Sequence, residues 1–369
     1  MLYYLFEYIN ELYAPPGFGI FKFLSFRSSL AAITALFLAF YIGPKIIKFL
    51  RRKQVGETIR DLGPQSHKLK EGTPTMGGVI IILSVVLPVL LWADINSSYI
   101  VLVLVGTIWL GFVGFIDDYL KVVMKKSKGL IARYKLLGQI LIGLLVGCAI
   151  YFLPEFSEYN TQTTLPFMKN LNFDFSFFYI PVVIFIITAT SNAVNLTDGL
   201  DGLAIGSMII VMLAVAILSY VSGNKIYADY LNVIYLEGSG ELTVFIAAFI
   251  GAGLGFLWFN FYPAQIFMGD TGSLALGGAF GIIAILIKKE LLIPILGGVF
   301  FIETLSVIIQ RMYFKYTKNK TGEGKRIFKM APLHHHYELQ GWAEPKIVMR
   351  FYIATIIFAI ISLATFKIR

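Results

Sequence analysis

Three clusters of carboxylates in this 369-residue chain stand in settings that suit chemistry better than solvation. The first is Asp117-Asp118, within Gly114-Phe-Ile-Asp-Asp-Tyr119. Adjacent carboxylates repel, and an apolar run over 99–117 places them at the negative end of a helix dipole. Something cationic must offset them: the lysines that follow, a metal ion, or a bound substrate. Beside the charge of Asp118, Asp117 is suited to accept a proton. Consecutive helical residues point about 100° apart, so only one of the pair is expected to reach a reacting centre.

The second cluster is Asn195-Leu-Thr-Asp198-Gly-Leu-Asp201-Gly. Asp198 and Asp201 are three apart and would share a face if a helix begins there. The glycines keep bulk away from a ligand or neighbouring backbone. A helix cap would account for one aspartate and one asparagine. It leaves the second, glycine-flanked aspartate unexplained. The third cluster runs from Asn260 through Phe267-Met-Gly-Asp270-Thr-Gly-Ser273. A carboxylate among glycines and hydroxyls at a helix start suits a Mg²⁺–phosphate assembly, because magnesium takes oxygen ligands and keeps several waters. Spacing does not say which aspartate touches the ion. Further on stand His334, His335 and His336, with His67 the only other histidine and no thiol nearby. Consecutive imidazoles cannot easily converge on one tetrahedral zinc, so phosphate binding or proton transfer fits better. Lys70 and Thr75 offer donors near another helix start, and Glu303 and Gln310, seven apart, share a helical face.

These residues must be carried by membrane helices. The chain is 57% apolar and its mean hydropathy is +0.76. A soluble domain rarely exceeds half apolar, so the surplus is expected to face lipid. Runs of about 20 apolar residues predict ten spans, near 24–43, 75–93, 99–117, 136–153, 177–194, 203–221, 242–259, 272–287, 291–310 and 347–366. The ninth is interrupted by Pro294, Gly297 and Gly298. The fold class is thus an all-α polytopic membrane protein, with residues 1–369 forming one domain. Of the 31 lysines and arginines, 22 fall in the loops after spans one, three and nine. The positive-inside rule makes those loops cytoplasmic and puts both termini on the periplasmic side. The loops after spans five and seven contain no lysine or arginine, yet hold the carboxylates. The net charge of +9 therefore reports orientation first, and nucleic acid is not an expected partner. The single cysteine, Cys148, excludes a disulfide framework.

Carboxylates for a divalent cation, cations for phosphates and wide lipid-facing surfaces together predict a transferase that joins a soluble, nucleotide-activated group to a membrane lipid. Five blocks resemble the polyprenyl-phosphate N-acetylhexosamine-1-phosphate transferases, in family order and over nearly the whole chain. They are Thr73-Pro-Thr-Met-Gly-Gly78, Phe115-Ile-Asp-Asp-Tyr119, Asn195-Leu-Thr-Asp-Gly-Leu-Asp-Gly-Leu-Ala204, Met268-Gly-Asp-Thr-Gly-Ser273 and Ala331-Pro-Leu-His-His-His-Tyr-Glu338. The last block is similar to the muramoyl-pentapeptide branch. The resemblance implies transfer from UDP-N-acetylmuramoyl-pentapeptide to undecaprenyl phosphate, giving lipid I and UMP in the bacterial inner membrane. It also implies Mg²⁺, ten helices, a homodimer and a lipid groove beside a broken ninth helix. By the same resemblance Asp270 binds magnesium, Asp117 is the base and Asp118 supports it. Asn195, Asp198, Asp201, Asn260 and Phe267 line the nucleoside pocket. Lys70, Thr75 and the three histidines handle phosphate or sugar, and Gln310 belongs to the substrate site. The alternatives are a UDP-N-acetylglucosamine:undecaprenyl-phosphate phosphotransferase and a non-enzymatic lipid transporter. A transporter should carry charges near mid-membrane, whereas here almost all sit at one interface, with Glu303 the main exception.

Overall fold

Backbone groups facing hydrocarbon must be satisfied within their own segment, and the long apolar runs accordingly fold as helices. The computed structural model describes residues 1–53, 72–126, 129–168 and 171–366. In chain order the helices are α1 (Leu2–Tyr13), α2 (Leu24–Arg52), α3 (Gly78–Trp92), α4 (Ser98–Val122), α5 (Ala132–Phe152), α6 (Tyr179–Thr197) and α7 (Leu203–Ser222). They continue as α8 (Lys225–Leu231), α9 (Leu242–Asn260), α10 (Gly269–Leu286), α11 (Ile293–Leu296), α12 (Gly298–Thr321), α13 (Leu333–Glu338) and α14 (Glu344–Ala364). Each predicted span contains a helix, and the all-α polytopic reading holds. The small additions are α1, α8 and an antiparallel hairpin of β1 (Gln162–Thr164) with β2 (Asn172–Asp174).

Among the described residues, eight helices are long and apolar enough to cross a membrane, or nine if α11 and α12 count as one span broken by 83°. The break falls at the predicted interruption. Gly297 leaves helical geometry, and a side chain on Gly298 would strike the Phe358 ring of α14 at 2.7 Å. The tenth segment, α3, has only fifteen residues, about 22 Å of helix. It is short because residues before it are drawn into another structure: Gly77 and Gly78 donate to the carbonyls of Phe267 and Met268 (2.9 and 2.8 Å), and Phe267 donates to Pro74 (2.8 Å).

The bundle interleaves distant parts of the chain. α2 runs along α9, and α10 lies between α4 and α6. α10 is buried from Thr271 to Leu286. Gly114 lets α4 and α10 approach this closely: a Cβ there would lie 2.1 Å from the Asp270 carbonyl oxygen.

Candidate active site

The end of α4 meets the start of α10, and the carboxylates converge there. α4 continues a full turn past the predicted end at 117, so Asp117 and Lys121 share a face and their charged groups lie 2.6 Å apart. Lys121 also reaches Asp270 at 2.9 Å, and Lys135, from the first turn of α5, reaches it at 2.8 Å. Lys135 stands 3.7 Å from Asp117. Two ammonium groups thus bind two carboxylates on different helices. Of the cations the sequence left open for the Asp117-Asp118 pair, the following lysines are the ones in contact with Asp117.

Asp118 points elsewhere. It is buried, and its Oδ1 accepts the Asp270 N–H (3.0 Å) while its Oδ2 accepts the Thr271 N–H (2.9 Å) and hydroxyl (2.6 Å). Opening helix turns leave N–H groups without intrahelical partners. Asp118 satisfies two of them on α10 and so fixes where α10 begins. Gly269 adopts φ +71°, and a Cβ on it would lie 2.6 Å from Asp118 Oδ2 and 3.0 Å from the Thr75 hydroxyl. Thr75 therefore belongs to this cluster, although it sits three residues before α3 rather than in its first turn. From α6, Asn195 donates to Asp270 (2.6 Å) and to the Ser273 hydroxyl (2.8 Å).

A second group of predicted residues packs around the α6–α7 connection. Helix α7 begins only at Leu203, because Gly202 at φ +79° interrupts the helical path. Asp198 and Asp201 therefore lie in the connection rather than on one helical face. Asp201 accepts the Ala264 N–H (2.9 Å), and Asn260 bridges the Gly202 N–H (3.1 Å) and the Ile266 carbonyl (2.9 Å). These bonds anchor the α9–α10 loop that presents half-buried Phe267. His334, fully buried, rests its ring on Gly199, where a Cβ would lie 2.2 Å from Nε2. The histidine segment and the 198–202 turn are thereby one unit, reinforced by Glu344 accepting the Asp201 N–H (2.7 Å).

The other predicted residues are placed differently. His335 pairs with Glu338 (2.7 Å), while His336 accepts the Lys329 N–H (3.0 Å) and meets Gln340 (2.8 Å), so both rings are engaged within their own segment. Gln310 accepts the N–H groups of Ile327 and Phe328 on its amide oxygen and donates one N–H to the Phe328 carbonyl. Lys70 lies outside the described residues. Glu303, fully buried on α12, accepts the N–H groups of Leu333 (2.7 Å) and His334 (3.1 Å) and stands 3.4 Å from His334 Nδ1. It caps α13 from a helix thirty residues upstream.

In the sequence Thr271 shows only as a hydroxyl beside Asp270, and Lys135 and Glu344 carry no chemical signal of their own. Lys135 was read only as a topology charge, and nothing in its spacing ties it to Asp270, 135 residues away.

Known proteins are similar to this chain in sequence. Residues 99–288 match the model of glycosyl transferase family 4, and residues 70–82 match the phospho-N-acetylmuramoyl-pentapeptide-transferase signature 1. Curated proteins named phospho-N-acetylmuramoyl-pentapeptide-transferase are similar end to end. Those of Chloroherpeton thalassium and Pelodictyon phaeoclathratiforme are each 54% identical, and that of Chlorobium limicola is 53% identical, with all of both chains covered in every case.

Proposed function

The chain belongs to glycosyl transferase family 4, on its phospho-N-acetylmuramoyl-pentapeptide-transferase branch, and from that membership we propose the reaction it performs. It transfers phospho-N-acetylmuramoyl-pentapeptide from the UDP-activated donor to undecaprenyl phosphate, producing lipid I and UMP for peptidoglycan synthesis. The observation that carries the mechanism is the Asp117–Asp270 pair bound by Lys121 and Lys135 where α4 meets α10.

An oxygen of the lipid phosphate forms a bond to the sugar-bearing phosphorus of the donor. The bond from that phosphorus to the bridging oxygen breaks, and UMP departs with the electron pair. Asp117, held by Lys121 and by the Leu130 N–H (2.6 Å), takes the proton from the lipid phosphate. Lys121 and Lys135 supply positive charge where phosphate oxygens gather, which favours the transition state electrostatically. Attack is direct, since a deprotonated, charge-neutralised phosphate is already a competent nucleophile. Asp118 positions α10, and Asn195 orients Asp270. The 198–202 turn, Asn260 and Phe267 receive the nucleoside, with the Phe267 ring available to stack on uracil.

Hard oxygen donors suit Mg²⁺, which needs only one or two carboxylates when phosphate and water complete its shell. Among the described residues no group of three His, Cys, Asp or Glu side chains could hold a metal ion, so phosphate and water would have to complete the shell. Asp270 would hold the ion with Asp117 beside it, and the ion would neutralise phosphate oxygens. The protein works as a homodimer in the bacterial inner membrane, with this end of the bundle facing the cytoplasm and both termini outside.

Purified protein supplied with a polyprenyl phosphate and Mg²⁺ should release UMP from UDP-N-acetylmuramoyl-pentapeptide and not from UDP-N-acetylglucosamine. Chelation should stop the release, and Asp270→Asn should abolish it while the protein stays folded. Release from UDP-N-acetylglucosamine alone would refute the donor, and full turnover in Asp270→Asn would refute the site.

A further inference from the structure

An open groove of about 500 Å³ lies between the end of α2 and the end of α9, apart from the carboxylate cluster carried by α4, α6 and α10. Its α2 wall is built from Pro44, Ile47, Lys48 and Arg51, spaced three, one and three apart and so aligned on one helical face. Phe259 forms the opposite wall, and Arg52 and Gln265 close the upper end. Gly43, one residue before the groove, meets the Phe259 ring so closely that a Cβ would lie 2.6 Å from it. The two helices therefore touch at Gly43 and part above it.

The wall changes character along its length. Pro44, Ile47 and Phe259 are apolar, while Lys48, Arg51 and Arg52 are cationic and exposed. Among the described residues, no carboxylate lines the groove. From Pro44 to Arg51 the helix rises about 10 Å. A ligand lying along it would need an apolar portion toward the membrane interior and an anion about 10 Å further out. α2 is a candidate span whose apolar window is only 28% buried, which leaves most of that window to face lipid. Basic recesses between membrane helices at the interface are suited to anionic headgroups. The sequence alone assigns these three cations to orientation. Their gathering on one groove gives them a second use.

We propose that this groove binds an anionic glycerophospholipid, with its phosphodiester on Lys48, Arg51 and Arg52 and the start of an acyl chain along Pro44, Ile47 and Phe259. The occupant is a resident bilayer lipid. A free phosphate would use the cations and leave the apolar wall wet. The α9–α10 loop forms one side: Arg51 reaches toward the Gln265 carbonyl at 3.5 Å, two residues from Phe267. Lipid in the groove thus borders, at Gln265, the same loop that Asp201 and Asn260 anchor at Ala264 and Ile266.

The test reconstitutes the full chain in phosphatidylcholine bilayers carrying trace spin-labelled phosphatidylglycerol or spin-labelled phosphatidylcholine. The fraction of motionally restricted label gives the relative association. Wild type should prefer phosphatidylglycerol, by up to about fivefold for each cation at the phosphate. K48Q/R51Q/R52Q should remove the preference, and Arg51→Gln alone should lower it. K315Q/K318Q/K320Q on α12 removes equal charge elsewhere and should leave it intact. Sodium phosphate at matched ionic strength should displace no more label than sodium chloride. The three groove cations are exposed, so their replacement is compatible with folding, which circular dichroism checks. The proposal is overturned if the groove variants keep the preference or the α12 variant loses as much. Selective displacement by inorganic phosphate would make it a free-anion site and overturn it as well.

Discussion

Asp117 and Asp118 are neighbours with opposite structural roles, and replacing each by asparagine separates them. The Asp118 carboxylate accepts three hydrogen bonds from the first turn of α10. An asparagine offers one acceptor oxygen and an NH₂. If the oxygen stays with Thr271, the NH₂ faces the Asp270 N–H, donor against donor. The stranded donor costs about 1–3 kcal/mol. Loss of a negative charge at the helix N-terminus adds about 0.3–1 kcal/mol. Weakening of the two bonds that remain brings the total to about 2–4 kcal/mol. Asp117 is buried as well, but an asparagine there keeps an oxygen for the Leu130 N–H, and the partly exposed Lys121 and Lys135 keep Asp270 as a partner, so the cost is only about 1 kcal/mol. Unfolding in detergent, followed by circular dichroism, should therefore show Asp118→Asn clearly destabilised and Asp117→Asn close to wild type. UMP release should show the reverse specificity: Asp117→Asn lowers kcat with little change in KM for the donor, because a base acts on the chemical step. A fully stable Asp118→Asn that nonetheless loses kcat would refute the positioning argument and put Asp118 on the substrate. Equal destabilisation by both variants would refute it too.

Gly114→Ala should disrupt the site without touching a polar group, since its Cβ would meet the Asp270 carbonyl at 2.1 Å. A cost of about 1–3 kcal/mol or more is expected, with turnover falling as α4 and α10 separate; wild-type turnover would show that the helices adjust freely. Glu303→Gln keeps the shape but turns one acceptor into a donor facing the N–H groups of Leu333 and His334. Loss of donor binding, with increased proteolysis of the 322–343 segment, should follow, and unchanged proteolysis would argue against the capping role. Lys288 lies between spans with its ammonium on the Tyr179 hydroxyl (2.8 Å) and the Asn160 carbonyl (3.0 Å). Burial holds its pKa down to about 8, against 10.5 when unfolded, opposed by nearby Glu290. Between those values the unfolded chain keeps a proton that the folded chain has shed, so stability rises with pH, by about 3 kcal/mol in all. Thermal unfolding from pH 7.5 to 10 should show this rise in wild type and not in Lys288→Met; parallel curves would refute it.

Much of the fold could be read from the sequence because a membrane span is a local property. Twenty apolar residues announce themselves without reference to a partner, and the broken ninth helix followed from Pro294, Gly297 and Gly298 in the same way. The helix ends were harder. Span three reads as ending at Asp117 because charge ends hydrophobicity, yet the helix runs on to Val122 and carries Lys121 back onto Asp117. Span two loses its first turn to backbone bonds with residues 267 and 268, which no local pattern encodes. The same distinction divides the site. Asp270 and Asp117 stand out by their glycine and carboxylate neighbours. Lys135 looks like any interfacial lysine until α5 brings it to Asp270. Gln310 stands out by its place on a helix face, and its bonds to the 327–328 backbone, seventeen and eighteen residues away, are invisible in the sequence.

The interleaving of α2 with α9 and of α4 with α10 has a consequence for how the protein is made. About 190 residues of chain separate the end of α2 from the start of α9. At roughly 5–20 residues per second a ribosome takes about 10–40 s to supply them. Throughout that interval the nascent α2 sits in the bilayer without α9, and α4, made part-way through it, waits past its end for α10, so that Asp118 has nothing on α10 to hold. The early helices must therefore be tolerated by lipid or by an insertion chaperone as an unfinished half. The transferase site can close only after most of the chain has left the ribosome.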